Sequence, residues 1–160
     1  MKQKIQIRCK NNKKSQKVEI GSTLFDVFSS FDLKMTHGPV SARVNNKVEG
    51  MHYRVYNSKD VEFLDMTSAS GSRAYTRTLF FVLCKAVQDI YPNTDVVIDI
   101  PVSNGFYVDI RLGRPVVDED VNILRRRMQE IIDSKMPIRR FTVPTEEAIA
   151  LFQEKGDVEK

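Results

Sequence analysis

The stretch RTLFFVLCKAVQDIYP, Arg77 to Pro92, is the most apolar part of the chain and restricts its fold more than any other feature. Leu79, Leu83, Ala86, Val87 and Ile90 recur at helical spacing, and Phe80 and Val82 widen the stripe, so the segment reads as a helix that must bury one face. Tyr91-Pro92-Asn93 ends it, because proline disfavours helix in the residue before it and has no N–H to donate. On both sides of this helix the apolar period falls from 3.6 to two. A chain of 160 residues could form one ordinary domain or two small ones, and the order of its elements reads as two units. The small polar run MTSASGS, Met66 to Ser72, is the expected linker.

Before the linker, Ile5, Ile7 and Cys9 alternate with Lys4, Gln6 and Arg8, the pattern of a half-buried strand. Asn11-Asn12 suits a turn, since asparagine tolerates positive φ, and Lys17 to Ile20 returns as a second strand. Gly21-Ser22-Thr23 precedes Leu24, Val27 and Phe28 at helical spacing, and Ser22 or Thr23 can cap that helix. Val40, Ala42 and Val44 share the face of a third strand, Asn45-Asn46 follows as a turn, and Lys59 to Leu64 is the last strand. Two strands, a helix and further strands in this order predict a β-grasp, or ubiquitin-like, unit over residues 1–66.

Beyond the linker at 67–72, the unit over residues 73–160 starts with the apolar helix. Strands are expected over Val96 to Ile100 and Phe106 to Leu112, joined through Ser103-Asn104-Gly105, because Asn-Gly is a strong hairpin signal. Asp118-Glu119-Asp120 places negative charge at the positive end of a helix dipole, and Val121, Leu124, Met128, Ile131 and Ile132 form its expected buried stripe. Lys135 and Pro137 close that helix. A strand over Arg139 to Val143 and a helix from Thr145 to Lys155, with Gly156 as C-cap, complete an α+β layer.

The sequence offers little for catalysis. It holds no Gly-x-Ser-x-Gly elbow, no Gly-x-Gly-x-x-Gly and no Gly-x-x-x-x-Gly-Lys-Ser/Thr phosphate loop. Its two histidines, His37 and His52, have no cysteine or histidine at ligand spacing. Asp99 and Asp109 fall on facing strands, at solvent-directed positions and without a nucleophile beside them. The two cysteines, Cys9 and Cys84, lie in apolar patterns and suit a reducing, cytoplasmic setting. No apolar run approaches the ~20 residues of a membrane span, so no membrane partner is expected. Charge is more telling. Residues 1–17 hold seven basic side chains and no acidic one, and Arg125-Arg126-Arg127 and Arg139-Arg140 form two further clusters. Such clusters contact phosphate or stay solvated.

At PVSNGFYVDI and MPIRRFTVPTEEAIALFQEKGD the second unit resembles the amino-terminal additional domain of threonyl-tRNA synthetases, and the preceding residues resemble the TGS domain, a β-grasp module just upstream of it. In that family the second domain hydrolyses mischarged tRNA at a site that resembles a zinc centre. Two histidines stand there one helical turn apart, which puts both imidazoles on one helix face, and a cysteine and histidine follow later. Aligned back from Tyr91-Pro92, those two positions are Arg77 and Phe81 here. The family's second tyrosine after Asn-Gly-Phe-Tyr is Val108, and no cysteine or histidine follows Cys84.

Two stretches, GPVSARVNNKVEG and SGSRAYTRTLFFVLCKAV, are similar to the front half of a bacterial uridine (nucleoside) kinase family. There a TGS domain and a synthetase-like domain precede a P-loop kinase. That resemblance implies a parent that phosphorylates uridine, with ATP and Mg confined to a kinase domain beyond residue 160, and a second domain cut short at its C-terminal end. This chain would be its non-catalytic regulatory, ligand- or RNA-binding region, with no catalytic residue, metal ligand or cofactor of its own. The alternatives are an amino-terminal fragment of a threonyl-tRNA synthetase with an inactive editing site, or a stand-alone RNA-binding module. The residues expected at a ligand site are Arg73, Arg77 and Tyr107, the arginines holding phosphate bidentately where the metal would sit. Arg125, Arg126, Arg139 and Arg140 are the expected contacts to nucleic acid such as tRNA.

Overall fold

The computed structural model describes residues 3–103, 105–139 and 141–154. They form two compact units, Met1–Leu79 and Phe80–Lys160, and the architecture is α+β as the sequence predicts.

The first unit is a five-stranded sheet packed on one short helix. Its strands are β1 (Lys4–Cys9), β2 (Ser15–Glu19), β3 (Ser41–Val44), β4 (Lys47–Gly50) and β5 (Lys59–Leu64), with α1 (Leu24–Ser30) between β2 and β3. The order across the sheet is β2-β1-β5-β3-β4, with β1 and β5 parallel and the other neighbours antiparallel. This is the β-grasp order. Ile7, Cys9, Val18, Leu24, Val27, Val44, Val61 and Phe63 meet in one buried core, the alternate residues of each strand facing α1. Thr23 caps α1: its hydroxyl accepts from the Asp26 amide at 3.2 Å, and the Asp26 carboxylate accepts from the Thr23 amide at 2.8 Å. Asn45 and Asn46 carry the β3–β4 turn with φ of 48° and 86°, the two positive values that a primed hairpin turn requires.

At the β1–β2 turn the expectation fails in detail. Positive φ falls on Lys13 (59°), while the asparagines use their side chains. Asn12 Oδ1 accepts from the Lys14 amide at 3.1 Å. Asn11 extends the sheet: its Nδ2 donates to the Phe63 carbonyl at 3.0 Å and its Oδ1 accepts from the Phe63 amide at 2.8 Å. Its amide side chain thus pairs with β5 where the β1 backbone turns away.

Helix α2 spans Ala69–Ile90, so Ala69 to Ser72 of the stretch expected as a linker are helix, and the boundary between the units falls inside α2. Ser68 explains the early start. Its hydroxyl donates to the Asp65 carbonyl at 2.9 Å and accepts from the Gly71 amide at 3.1 Å, which satisfies one of the N–H groups left open at a helix start. Gly71 within that run is buried and marks close packing, not flexibility.

The second unit joins the later part of α2 to the hairpin β6 (Val96–Val102) and β7 (Gly105–Ile110), α3 (Asp118–Asp133) and α4 (Thr145–Glu154). Val82, Ala86, Val87, Leu124 and Ile131 are buried together, with Leu83, Ile90, Val96, Ile110 and Met128 against them. Two expectations are overturned. The stripe of α3 is narrower than its sequence suggests, since Val121 and Ile132 are exposed and Asp120 is buried instead. The strand expected over Arg139 to Val143 is absent among the described residues, which run irregularly with Phe141 exposed. Pro137 and Pro144 bracket that stretch, and proline has no N–H to give a ladder. The expected Asn104 turn position and the Gly156 cap lie outside the described residues.

Candidate ligand surfaces and the buried polar cluster

Arg73 and Arg77 stand four residues apart on α2, hence on one face one turn apart. Both are exposed. The Arg73 guanidinium donates to Ser70 Oγ at 3.3 Å. Phe81, one turn further, is 66% exposed. The hairpin places Tyr107 by its pleat. Phe106 meets Phe80 of α2 edge to face, with ring centroids 4.9 Å apart, so Tyr107, its neighbour on β7, belongs to the opposite face and is 58% exposed. An extra residue in β6 between Ile98 and Pro101 lies across from it. Tyr107 therefore points away from the helix segment that Phe106 covers.

Of the arginine clusters, Arg125 and Arg126 are exposed on α3 and Arg139 is exposed beyond it. Arg140 lies outside the described residues. Arg127 is committed elsewhere: its Nε and Nη2 donate to Asp89 Oδ2 at 3.0 and 2.8 Å, and its Nη1 donates to Glu130 at 2.8 Å. Asp89 also accepts from Lys85. Those two cations, Lys85 first, hold the Asp89 carboxyl below its ordinary range. This network joins α2 to α3 and leaves only two of the three arginines available to a ligand.

The residues that sequence reasoning missed form a second polar cluster at the start of α3. Asp120 is 3% exposed and accepts four hydrogen bonds. Arg114 donates Nη1 to Oδ2 and Nη2 to Oδ1, each at 2.7 Å. Tyr91 donates its hydroxyl to Oδ1 at 2.6 Å, and the Val117 amide donates to Oδ2 at 2.9 Å. Four donors match the lone-pair capacity of a carboxylate. The Arg114 fork, then Tyr91, then the Val117 amide hold Asp120 far below the usual carboxylate range, against the opposing effect of burial. Its hydrogen bond to Asp120 pushes the Tyr91 phenol up. A carboxylate so saturated has no lone pair with which to take a proton from substrate, so the cluster is a lock between the end of α2, the loop after β7 and α3. Its signal in the sequence was an acid at the third helical position with an arginine just upstream, which also reads as an ordinary dipole-favouring helix start.

His37 and His52 are exposed, and His52 packs edge on against Phe25 with centroids 5.3 Å apart. Among the described residues no three His, Cys, Asp or Glu side chains gather as a metal would need, and no helix is long and apolar enough to cross a membrane.

No family model matches the chain. Curated relatives do. A threonine–tRNA ligase of Natranaerobius thermophilus is 30% identical over 142 residues, covering 89% of this chain and 22% of the ligase. One of Acetivibrio thermocellus is 29% identical over 137 residues, 86% of this chain and 22% of the ligase. One of Clostridium kluyveri is 28% identical over 153 residues, 96% of this chain and 24% of the ligase. The chain is homologous to part of threonine–tRNA ligases. It spans less than a quarter of their length, and the relatives found give no support to a kinase parent.

Proposed function

We propose that this chain is a non-catalytic, tRNA-directed region of a larger cytoplasmic protein, equivalent to the amino-terminal part of a threonine–tRNA ligase. The observation that carries this reading is at Arg77 and Phe81. They stand one turn apart on an exposed part of α2, at the two positions that the family resemblance gives to histidine ligands, and neither side chain binds zinc. The homology supports a tRNA ligand, and the substitutions argue against hydrolysis. Arg73 and Arg77 are the groups on α2 that would meet a phosphate; Tyr107 belongs to the outer face of the hairpin and would act separately, by stacking. The test is direct. The chain should bind tRNA at low salt without deacylating mischarged tRNA, with Arg77→Ala weakening binding by roughly the factor of a few expected for one phosphate contact. Deacylation above a blank would overturn the non-catalytic assignment.

A second reading rests on the resemblance of GPVSARVNNKVEG and SGSRAYTRTLFFVLCKAV to the front of uridine kinases. In it the partner of this region is a P-loop kinase domain, which alone would bind ATP and Mg. The native gene beyond codon 160 separates the readings: a phosphate loop favours the kinase and a class II synthetase core the ligase.

A further inference from the structure

We infer that the outer face of β1 and β2, with the hollow between β1 and β5, is a binding surface for the phosphate backbone of RNA. The inference rests on the tRNA-directed reading and assigns it a place distant in sequence from the arginines of α2. The basic run of residues 1–17, which the α2 site leaves unexplained, is sorted by the sheet. Ile5, Ile7 and Cys9 turn into the core, so Lys4, Gln6 and Arg8 share the outer face. Antiparallel pairing sets Lys17 opposite Gln6 and Ser15 opposite Arg8, on that same face. Lys10, Lys13 and Lys14 are exposed in the turn that continues it. From Lys4 to Arg8 the row runs about 13 Å along the strand, which suits a chain of phosphates better than a single one.

The face also has a shaped element. A hollow of about 300 Å³ is lined by Gln6, Arg8, Ser15, Asn45, Ser58, Lys59 and Asp60. It combines two cations with two amides and two hydroxyls, the groups that bind phosphate and sugar oxygens without reading sequence. Asp60 is its single acid, and among the described residues no ion pair joins it to Arg8 or Lys59. The contrast lies across the same sheet. Arg43 on β3 is already matched by Glu62 on β5 at 2.6 Å, whereas on β1 and β2 Lys4, Arg8 and Lys17 outnumber the one acid, Glu19. Glu19 opposite Lys4 closes the row at its other end.

The experiment measures binding of labelled tRNA to the 160-residue protein from low to moderate salt, with amide spectra recorded alongside. Arg8→Gln combined with Lys17→Gln should weaken binding about tenfold and lower the log–log salt slope by about two, as two phosphate contacts require. Arg125→Gln with Arg126→Gln should change both much less. Unchanged amide spectra outside the substituted strands show that the β-grasp sheet survives, and Lys17→Arg should restore part of the affinity. If the α3 pair or Arg77→Ala abolishes binding while the β1–β2 pair leaves it intact, the surface is wrong and the tRNA-directed function stands. A tripolyphosphate titration separates the opposite case: shifts at Gln6, Arg8 and Lys59 without tRNA binding keep the anion site and remove the RNA reading. No response to either probe overturns both.

Discussion

Asp120 shows how one residue can look functional by every electrostatic sign and still be structural. It is buried, charged, strongly shifted and beside a tyrosine and an arginine, the company that marks many active sites. What decides its role is that all of its acceptor capacity is used by groups of its own unit. Its carboxyl titrates lower in the folded state than in the unfolded chain, where an aspartate has a pKa of about 3.9. The folded state therefore gains stability from it at every pH above about 4, and loses that gain as pH falls below 4 toward the folded value. Asp89, also lowered, has the same sign. Tyr91 has the opposite one: raised in the folded state, it stabilises below pH about 10 and loses that contribution as pH rises beyond it. Melting temperature against pH should thus fall on the acid limb below pH about 4. Asp120→Asn should lower the melting temperature at neutral pH by on the order of 5–10 °C and flatten the acid limb, because the arginine fork loses its charged acceptor. Equal melting of Asp120→Asn and the unaltered protein would show that the lock contributes nothing.

At the scale of elements, what the sequence made legible was whatever depends on local chemistry. Alternation gave β1, a cap at Ser22 or Thr23 gave the start of α1, and paired asparagines gave the β3–β4 turn. The failures are places where tertiary partners override local pattern. Ala69-Ser70-Gly71-Ser72 has the composition of a linker, and only the Asp65 carbonyl behind it shows why position 71 needs a glycine. A Cβ built on Gly71 would lie 1.8 Å from that oxygen and 2.6 Å from its carbon. Val121 and Ile132 sit at helical spacing yet face outward, since the core of the second unit reaches only Leu124, Met128 and Ile131. Of the candidate site, the exposure of Arg125 and Arg126 was legible, as charge clusters that contact phosphate or stay solvated. The diversion of Arg127 to Asp89, and the turning of Tyr107 to the far side of the hairpin, depend on pairings that periodicity does not encode. The glycine gives a sharp test. In an exposed helix, Gly→Ala stabilises by about 1 kcal/mol; here Gly71→Ala should do the reverse, lowering the melting temperature by several degrees and reducing amide protection in the first turn of α2. A gain in stability would mean that the Asp65 carbonyl yields freely.

At the scale of the whole molecule, the described residues form two buried clusters that share no residue. One unites strands and α1 of the β-grasp unit around Ile7, Leu24, Val61 and Phe63. The other is smaller and depends on Val82, Ala86, Val87, Leu124 and Ile131. The second unit also leaves Ile100, Val102, Phe106, Ile138 and Phe141 exposed, so less of its apolar surface is removed from water to oppose its chain entropy. Its amides should exchange faster, with α3 and β6–β7 opening before β1, β3 and β5, as units with few buried contacts do. Matched substitutions test whether the two cores act separately. Leu24→Ala and Leu124→Ala each remove a buried leucine, at a cost of about 2–5 kcal/mol. Hydrogen exchange should show the first lowering protection in the β-grasp strands while α3 keeps its own, and the second doing the converse. The doubly substituted protein should then show the two losses side by side, without an added coupling. If Leu124→Ala strips protection from β1 and β5 as strongly as from α3, the chain unfolds as one cooperative body and its two cores do not define two folding units.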